Sequence, residues 1–199
     1  MYPLPQAMEM LTDPRWTRAI FVRDPKERIL SAYLDKAAKK EGTYLDRHCC
    51  PNEKGKNITC GKRASTSLHN FVTVIQDQCC CDPHWKPQAR RIDPELWQYV
   101  NFVGYFDSLH EDGKRMLQLV GGSAWETFGA SGWGQDQNES MFFESSHAKH
   151  RTSAHTKLKL YFNDSLVVKL VEDIYASDYK LFNFSRGGLV AGGEAIWNS

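Results

Sequence analysis

Hydrophobic residues form two short uninterrupted runs, and most of the remaining apolar positions recur at helical spacing. The first run ends the segment WTRAIFV at residues 16–22, and the second is YVNFVGYF at residues 99–106. A run that is apolar on both faces is typical of a buried strand in a parallel sheet, where helices cover both sides. We therefore predict two such strands, each followed by a helix, in an α/β fold.

A helix is predicted to begin directly after the first run. Asp24 is a typical N-cap residue, Pro25 suits the first helical position, and Glu27 follows the cap by three residues, as in a capping box. Up to about residue 40, Arg28 and Ser31 share one face of this helix. The apolar positions of the opposite face are Ile29, Leu30, Tyr33, Leu34 and Ala37.

The same spacing predicts three further helices, at residues 67–78, 107–121 and 165–178. The last of them is predicted to be capped by Asp164 and to carry Leu166, Val167 and Val171 on its apolar side. The segments between the elements contain glycine, proline, serine or cysteine clusters and are expected to be loops. These segments are 41–66, 79–94 and 121–155. Because the chain has no internal repeat and no segment with linker composition, it is predicted to be one domain over residues 1–199.

The charge balance restricts the classes of partner. The 199 residues include 25 Lys plus Arg and 24 Asp plus Glu, for a net charge of +1. This balance gives no general attraction for nucleic acid or for an anionic membrane, so any anion site must be local. No apolar stretch approaches the roughly 20 residues of a membrane span, and residues 1–16 lack the pattern of a signal peptide.

Cysteines and glycosylation sequons together favour an oxidising, secretory compartment. All six cysteines lie between Cys49 and Cys81. The N-x-S/T sequons begin at Asn57, Asn138, Asn163 and Asn183. A lumenal protein without a visible targeting segment is expected to be incomplete at its front.

The cysteines allow two interpretations, a zinc site or disulfides. Cys79, Cys80 and Cys81 with His84 suggest a zinc site, but three adjacent thiolates lack the two-residue gap that is typical of zinc ligands. Disulfides from these residues to the cysteines at 49, 50 and 60 are favoured, with a connectivity that the sequence leaves open. No metal is therefore expected.

The corner between the first strand and its helix is a candidate anion site. A helix N-terminus offers backbone N–H groups and the positive end of the helix dipole. Arg23 adds a bidentate donor suited to phosphate, and Ser31 adds a hydroxyl on the same face. The alternative is an ordinary capped helix in which Arg23 pairs with a carboxylate and Ser31 is solvated.

This corner also resembles a known motif. From Arg23 to Tyr33 the chain has the pattern R-D-P-x-x-R-x-x-S-x-Y, similar to the 3′-phosphate-binding motif of the Golgi carbohydrate sulfotransferases, which include the chondroitin and HNK-1 enzymes. Three further segments resemble that family in the same order, and the resemblance covers about residues 16–184. They are DPHWKPQ at 82–88, FVGYFDSL at 102–109, and the stretch from HRTSA at 150–154 to Phe182.

The resemblance implies a fold, a donor and a location. The fold would be the P-loop-like sulfotransferase fold, with a parallel central sheet flanked by helices. The reaction would transfer a sulfonate group from 3′-phosphoadenosine 5′-phosphosulfate (PAPS) to a hydroxyl of a carbohydrate. The protein would act in the Golgi lumen, held to the membrane through an anchor that this chain lacks.

The resemblance also implies roles for individual residues. Arg23 and Ser31 would hold the 3′-phosphate of PAPS. Arg28 belongs to the same motif, although bracing of the corner through Asp35 or a neighbouring loop suits it better than contact with the ligand. Arg151 and Thr152 are candidates for a loop that closes over the nucleotide, or they form an ordinary polar approach to a helix.

One part of the family's donor site is not visible in the sequence. In the family, a strand followed by a P-K-x-x-x-T/S loop cradles the 5′-phosphosulfate, upstream of the Arg-Asp-Pro motif. Only 22 residues precede Arg23, and none has that pattern. The stretch GKRASTS at 61–67 is a weak substitute, because no apolar run precedes it. The first strand and this loop are therefore expected to be missing, and transfer by this chain to be impaired.

Sulfonate transfer also needs a base for the acceptor hydroxyl. His84 is the first candidate and His150 the second. Trp85 is suited to stacking on a sugar face, but the alternative is that His84 and Trp85 only anchor a proline-rich loop to the core.

Two other functions compete with sulfonate transfer. The first is a non-catalytic module that binds a nucleotide or a sulfated glycan. The second is a P-loop kinase, which is disfavoured because the Walker pattern G-x-x-x-x-G-K-[ST] does not occur.

Overall fold

The computed structural model describes residues 3–50, 58–130 and 152–185. The chain divides into two compact units. The first comprises residues 1–23 and 92–148, and the second residues 24–91 and 149–199. The expectation of one domain over the whole chain stays a prediction, and each unit is described by itself.

The elements are mostly helical. Within the described ranges the α-helices are α1 (Leu4–Thr12), α2 (Pro25–Ala32), α3 (Thr43–His48), α4 (Cys60–Ser65), α5 (Leu68–Gln78), α6 (Leu109–Val120), α7 (Ala154–Tyr161), α8 (Ser165–Ile174) and α9 (Ala176–Leu181). The strands are β1 (Ala19–Val22) and β2 (Phe102–Tyr105). Short 3₁₀-helices cover Gln88–Arg90, Pro94–Tyr99 and Phe106–Ser108, and π-helical segments cover Tyr33–Ala38 and Glu126–Ala130.

The first unit contains a small parallel sheet. β1 pairs with β2 in parallel, with Ala19 opposite Phe102 and Val22 opposite Tyr105. Both strands were predicted from their apolar runs, and the mixed α/β class with a parallel sheet is confirmed. Strand β2 is shorter than its run, because Pro94–Tyr99 forms a 3₁₀-helix before it. Helix α6 follows β2, as predicted, whereas α1 was not predicted.

The prediction that β1 is buried on both faces was wrong for most of the strand. Ala19 is exposed, Ile20 and Phe21 are half-buried, and only Val22 is buried. In the part of the chain that the structure describes, β1 has a single neighbouring strand, so the sheet is too narrow for full coverage. The ring of Phe21 packs closely over Gly104, where a Cβ atom would collide with it.

The second unit is built around α2 and α5. Ser67 caps α5 by accepting a hydrogen bond from the Asn70 N–H, and α5 buries its apolar face. The buried residues of α5 are Leu68, Phe71, Val72, Val74 and Ile75. They belong to one hydrophobic cluster with Ile29 and Leu30 of α2 and with residues of α7, α8 and α9. This core holds α2 and the segment after α5 in fixed positions.

The prediction of a loop over residues 41–66 was wrong in the described part of this range, which contains helices α3 and α4. The two helices are fastened together by non-local hydrogen bonds. The Asp46 carboxylate accepts hydrogen bonds from Thr59 Oγ1 at 2.9 Å and from the Gly61 N–H at 2.8 Å. Gly42, at φ +79°, packs against Gly61 so closely that a Cβ atom on either would collide with the backbone of the other.

Two disulfides are present, as favoured over a zinc site, but just one of them joins the cysteines at 79–81 to the earlier ones. Cys49 pairs with Cys79, and Cys50 pairs with Cys60. Since Cys79 is already bonded, a zinc site built from three adjacent thiolates is wrong. The two remaining cysteines, Cys80 and Cys81, are exposed thiols.

The predicted C-terminal helix over 165–178 is interrupted. Asp164 caps α8 as predicted, by accepting from the Leu166 N–H, but α8 ends before the buried residue Tyr175 and α9 follows. Val167 and Val171 are buried, whereas Leu166 is 50% exposed, contrary to its predicted place on the apolar side. Leu166 lies in the first turn, outside the i, i+4 row that Val167 and Val171 form.

The predicted loop over residues 121–155 was partly wrong. It contains the π-helical segment Glu126–Ala130, and α7 already begins at Ala154. Residues 131–151, which include the candidates His150 and Arg151, lie outside the described residues. Across the described ranges, none of the helices combines the length and the apolar character that a membrane crossing requires.

Candidate nucleotide and acceptor site

The N-terminus of α2 is capped by the protein itself. The Asp24 carboxylate accepts hydrogen bonds from the backbone N–H groups of Lys26 at 2.8 Å and Glu27 at 3.1 Å. The predicted cap is therefore confirmed, but the prediction that these N–H groups are available to an anion was wrong. An anion at this corner would have to be held mainly by side chains.

Arg23 lies at the end of β1 in the first unit. Its guanidinium is 5.2 Å from the centre of the Phe106 ring, which follows β2. Arg23 is half-buried. Because Ser31 belongs to the second unit, a joint grip of Arg23 and Ser31 on one phosphate stays a prediction.

Two of the predicted nucleotide-binding residues meet in the second unit. The Ser31 hydroxyl on α2 lies 2.9 Å from the Thr152 hydroxyl, although 121 residues separate them in sequence. Thr152 directly precedes Ser153, the N-cap position of α7, and its carbonyl accepts a hydrogen bond from Lys157 Nζ at 3.0 Å. The result is a pair of adjacent, partly buried hydroxyls with an ammonium group nearby, a suitable arrangement for phosphate oxygens.

Arg28 makes the predicted bracing contact with a neighbouring loop. Its guanidinium donates to two backbone carbonyls of the loop after α5, Lys86 at 2.8 Å and Pro83 at 3.0 Å. On the same helix, Lys26 forms an ion pair with Glu172 of α8 at 2.9 Å. Arg28 thus ties the helix that carries Ser31 to the loop that carries His84.

His84 is part of a hydrogen-bonded cluster with Asp82 and Tyr44. The Asp82 carboxylate lies 2.7 Å from His84 Nδ1 and also accepts from the His84 backbone N–H at 2.8 Å. Since a carboxylate oxygen can only accept, Nδ1 carries the proton, and in the neutral imidazole Nε2 is then the acceptor. The side chain of His84 is 39% exposed and that of Asp82 only 8%. This is the arrangement of a base oriented by a carboxylate.

Tyr44 of α3 completes the cluster. Its hydroxyl donates to the second oxygen of Asp82 at 3.0 Å and lies 3.2 Å from His84 Nδ1. Burial, and then the hydrogen bond to Asp82, raise the pKa of Tyr44 to about 12. The phenol therefore stays protonated and remains a donor to Asp82 at neutral pH.

The loop that carries His84 is anchored by buried groups. Trp85 is 1% exposed, and its indole N–H donates to the Cys79 carbonyl at 2.6 Å. The Tyr175 hydroxyl donates to the Trp85 carbonyl at 2.5 Å. Asp178, which is fully buried, accepts from the backbone N–H groups of Gln88 and Ala89, each at 2.8 Å. Stacking of Trp85 on a sugar is thus wrong, and its anchoring role is confirmed.

Comparison with known proteins agrees with the sequence motifs. A model of the sulfotransferase family matches residues 3–185. The chain belongs to this family. The relatives it matches are all carbohydrate sulfotransferases, and no solved structure gives a significant match.

The sequence identity to individual relatives is low, but the matches cover most of this chain. The chain is 27% identical to human carbohydrate sulfotransferase 9 over 85% of its own length and 38% of the relative. It is 26% identical to carbohydrate sulfotransferase 11 of Mus musculus, over 92% of the chain and 51% of the relative. It is 27% identical to carbohydrate sulfotransferase 8 of Mus musculus, over 86% of the chain and 40% of the relative. The chain thus spans between about two fifths and one half of these curated relatives.

The stretch at 61–67 is a structural element in this family member. Residues Cys60–Ser65 form helix α4, capped by the Thr59 hydroxyl, and the Gly61 N–H is bonded to Asp46. Lys62 and Arg63 are exposed on this helix. The N–H groups of Gly61 and Lys62 are therefore bonded within the protein, to Asp46 and to the Thr59 hydroxyl, and are not available to a phosphate.

Sequence reasoning missed the partners of His84. Asp82 was part of the matched segment DPHWKPQ but received no role, and Tyr44 lay in a segment that was predicted to be a loop. The signal for Asp82 was its position two residues before the histidine, since an aspartate readily bonds the backbone two residues on. Tyr44 is 38 residues away from Asp82, and no local pattern points to it.

Proposed function

We propose that this sulfotransferase family member transfers a sulfonate group from PAPS to a hydroxyl of a carbohydrate. The observation that carries the proposal is the contact of the Ser31 and Thr152 hydroxyls at 2.9 Å. Both residues were assigned to the nucleotide from separate sequence motifs, and they adjoin each other in the folded second unit. Carbohydrate sulfotransferases among the relatives support the acceptor class.

The residues present fit the 3′-phosphate of PAPS in their chemistry. Ser31 and Thr152 would donate hydroxyl hydrogen bonds to phosphate oxygens, and Lys157 would add positive charge beside Thr152. The sequence motif adds Arg23, and Arg151 precedes Thr152 in the chain. When bound, PAPS supplies the sulfonate group.

The proposed role of His84 is that of the base. Nε2 would accept the proton of the acceptor hydroxyl as that oxygen attacks sulfur, and Asp82 would stabilise the imidazolium that forms. Arg28 keeps the His84 loop fastened to α2, so the base and the nucleotide-binding helix would move as one body. His150 stays the second candidate.

Calorimetry with two nucleotides tests the nucleotide site. We expect adenosine 3′,5′-bisphosphate to bind more tightly than adenosine 5′-monophosphate. Thr152→Ala and Ser31→Ala should each reduce that preference about 10- to 100-fold, since a hydrogen bond to a charged group contributes about 1.5–3 kcal/mol. Arg23→Ala should abolish it. Thr156→Ala is the matched control, because this exposed residue of α7 bonds only locally, to the Ser153 carbonyl.

Equal affinity for the two nucleotides would refute the assigned 3′-phosphate site. Transfer itself is measured with radiolabelled PAPS on a panel of glycans, for this chain and for a version with additional N-terminal residues. The second candidate function, a binding module without transfer, is favoured by the helical structure of Cys60–Ser65 in the stretch with the weak loop pattern. Tight nucleotide binding with no transfer by either version would select it.

We also propose that the protein resides in the Golgi lumen, which the two disulfides support. Asn163 and Asn183 are exposed members of N-x-S sequons. Secretory expression is therefore expected to attach glycans at both, and an endoglycosidase should remove them with a visible mobility shift. Asn163→Gln and Asn183→Gln should each abolish one step of that shift. A secreted chain without either glycan would contradict this expectation.

A further inference from the structure

Two thiols lie side by side next to the His84 cluster. Cys80 and Cys81 occupy an exposed turn after α5, and their sulfur atoms are 3.2 Å apart. The other four cysteines of the chain are paired with each other. Unlike the four cysteines in disulfides, these two thiols can still be oxidised, and they lie close enough to react with each other.

We propose that Cys80 and Cys81 form a redox modification site, a vicinal dithiol that small disulfides such as glutathione disulfide convert reversibly into a Cys80–Cys81 disulfide. The proposal rests on the two exposed sulfurs and their separation. It does not depend on sulfonate transfer, because the site reacts with the disulfide alone.

The reaction balances as two thiol–disulfide exchanges. The thiolate of one cysteine attacks a sulfur of glutathione disulfide, forms a mixed disulfide and expels one glutathione thiolate. The thiolate of the second cysteine then attacks the cysteine sulfur of the mixed disulfide and expels the other glutathione. The two protons lost by the cysteines are taken up by the glutathione thiolates, so the cysteine pair is oxidised and the glutathione disulfide is reduced.

The product should be easy to reduce again. Neighbouring Cα atoms are about 3.8 Å apart, less than the roughly 4.4–6.8 Å of ordinary disulfides, and strained or exposed disulfides are the labile ones. The hydrogen bond between the two thiols raises the pKa of Cys80, so the Cys80 thiol keeps its proton to a higher pH. The Cys49–Cys79 and Cys50–Cys60 disulfides should survive reducing conditions that reopen the vicinal pair.

The site is placed to affect the base candidate. Cys81 directly precedes Asp82, which orients His84, and Cys79 before it accepts the Trp85 indole hydrogen bond. A disulfide between residues 80 and 81 would change the backbone conformation of the turn that directly precedes Asp82. Oxidation should therefore perturb the hydrogen bond between Asp82 and His84.

Mass spectrometry of the intact protein tests the site. After treatment with glutathione disulfide, the wild-type chain should lose two hydrogen atoms and retain no glutathione. Cys80→Ser and Cys81→Ser should each retain one glutathione, since the resolving thiol is gone. The double variant Cys80→Ser/Cys81→Ser is the matched control and should stay unchanged. Peptide mapping without reduction should locate the new bond between residues 80 and 81.

A measurement on the wild-type chain avoids reliance on the variants. Phenylarsine oxide binds two nearby thiols, releasing one water as both sulfurs bond to arsenic, and it should bind once per chain and block the oxidation. The proposal is overturned if the wild-type chain retains glutathione as a stable adduct, binds no arsenical, or forms its new bond with Cys49 or Cys79.

An NMR shift of the His84 ring protons upon oxidation, absent from the double variant, would establish the coupling to Asp82. Unchanged His84 ring signals would refute that coupling.

Discussion

Replacing His84 with glutamine is expected to reduce sulfonate transfer by about 10²–10⁴-fold, the usual contribution of general acid–base catalysis. Glutamine has a similar size and retains a donor toward Asp82, but its side chain cannot accept the proton of the acceptor hydroxyl at neutral pH. Because the Ser31 and Thr152 hydroxyls belong to other elements, α2 and the approach to α7, binding of the 3′-phosphate should be unchanged. The loss should therefore appear in kcat and not in nucleotide affinity.

The assay compares His84→Gln with a matched histidine elsewhere. His69 of α5 is half-buried and lies outside the Asp82 cluster, so His69→Gln should retain transfer. Asp82→Asn tests the positioning role, since an amide that donates to Nδ1 favours the tautomer with the proton on Nε2. Asp82→Asn should thus lower kcat at unchanged nucleotide affinity, as His84→Gln does. Transfer by His84→Gln within a factor of two of the wild type would remove His84 from the reaction.

Local signals in the sequence were sufficient for the helix starts. Asp24 and Asp164 each accept a hydrogen bond from a backbone N–H of the first turn, as predicted, and Ser67, which was predicted to lie inside its helix, does the same. Such caps depend only on neighbouring residues, so no tertiary information is needed to predict them. The apolar runs of β1 and β2 were likewise sufficient to predict two strands of a parallel sheet, and the two strands pair with each other.

Non-local contacts account for most of the errors. Helices α3 and α4 lie in a stretch with poor helical composition, and they are held by the bonds of Asp46 and by the Cys50–Cys60 disulfide. The N-terminal helix α1 follows Pro3 and includes a proline in its first turn, and no helix was predicted there. Burial of β1 depends on which elements cover the sheet, and the run of apolar residues does not specify them.

The candidate site was predicted in pieces. The resemblance to the family supplied Ser31 and Thr152, and the fold placed their hydroxyls together. No pattern along the chain relates Tyr44 to Asp82 or Arg28 to the carbonyls at 83 and 86, because these contacts join segments that only the core brings close. The sequence therefore predicted which single residues could take part in the chemistry. It did not predict the non-local contacts that orient them.

Replacing Asp178 with alanine is expected to lower the free energy of unfolding by about 2–5 kcal/mol. Asp178 is fully buried and accepts from the backbone N–H groups of Gln88 and Ala89, each at 2.8 Å, and from Gln88 Nε2 at 3.3 Å. Alanine deprives two backbone donors of their carboxylate acceptor, and a buried donor that loses its partner costs about 1–3 kcal/mol. Denaturant unfolding with intact disulfides measures the change.

A control substitution at an exposed aspartate shows whether the loss of stability comes from the loop of residues 83–90. Asp173 on α8 is exposed, so Asp173→Ala should change stability by no more than about 0.5 kcal/mol. Asp178→Asn keeps one carbonyl acceptor and should fall between the two. Since the same loop carries His84, Asp178→Ala should also reduce transfer at temperatures where the chain is still folded. Equal stability of Asp178→Ala and Asp173→Ala would mean that the buried carboxylate does not anchor the loop, and the rigid placement of His84 would then lose its physical basis.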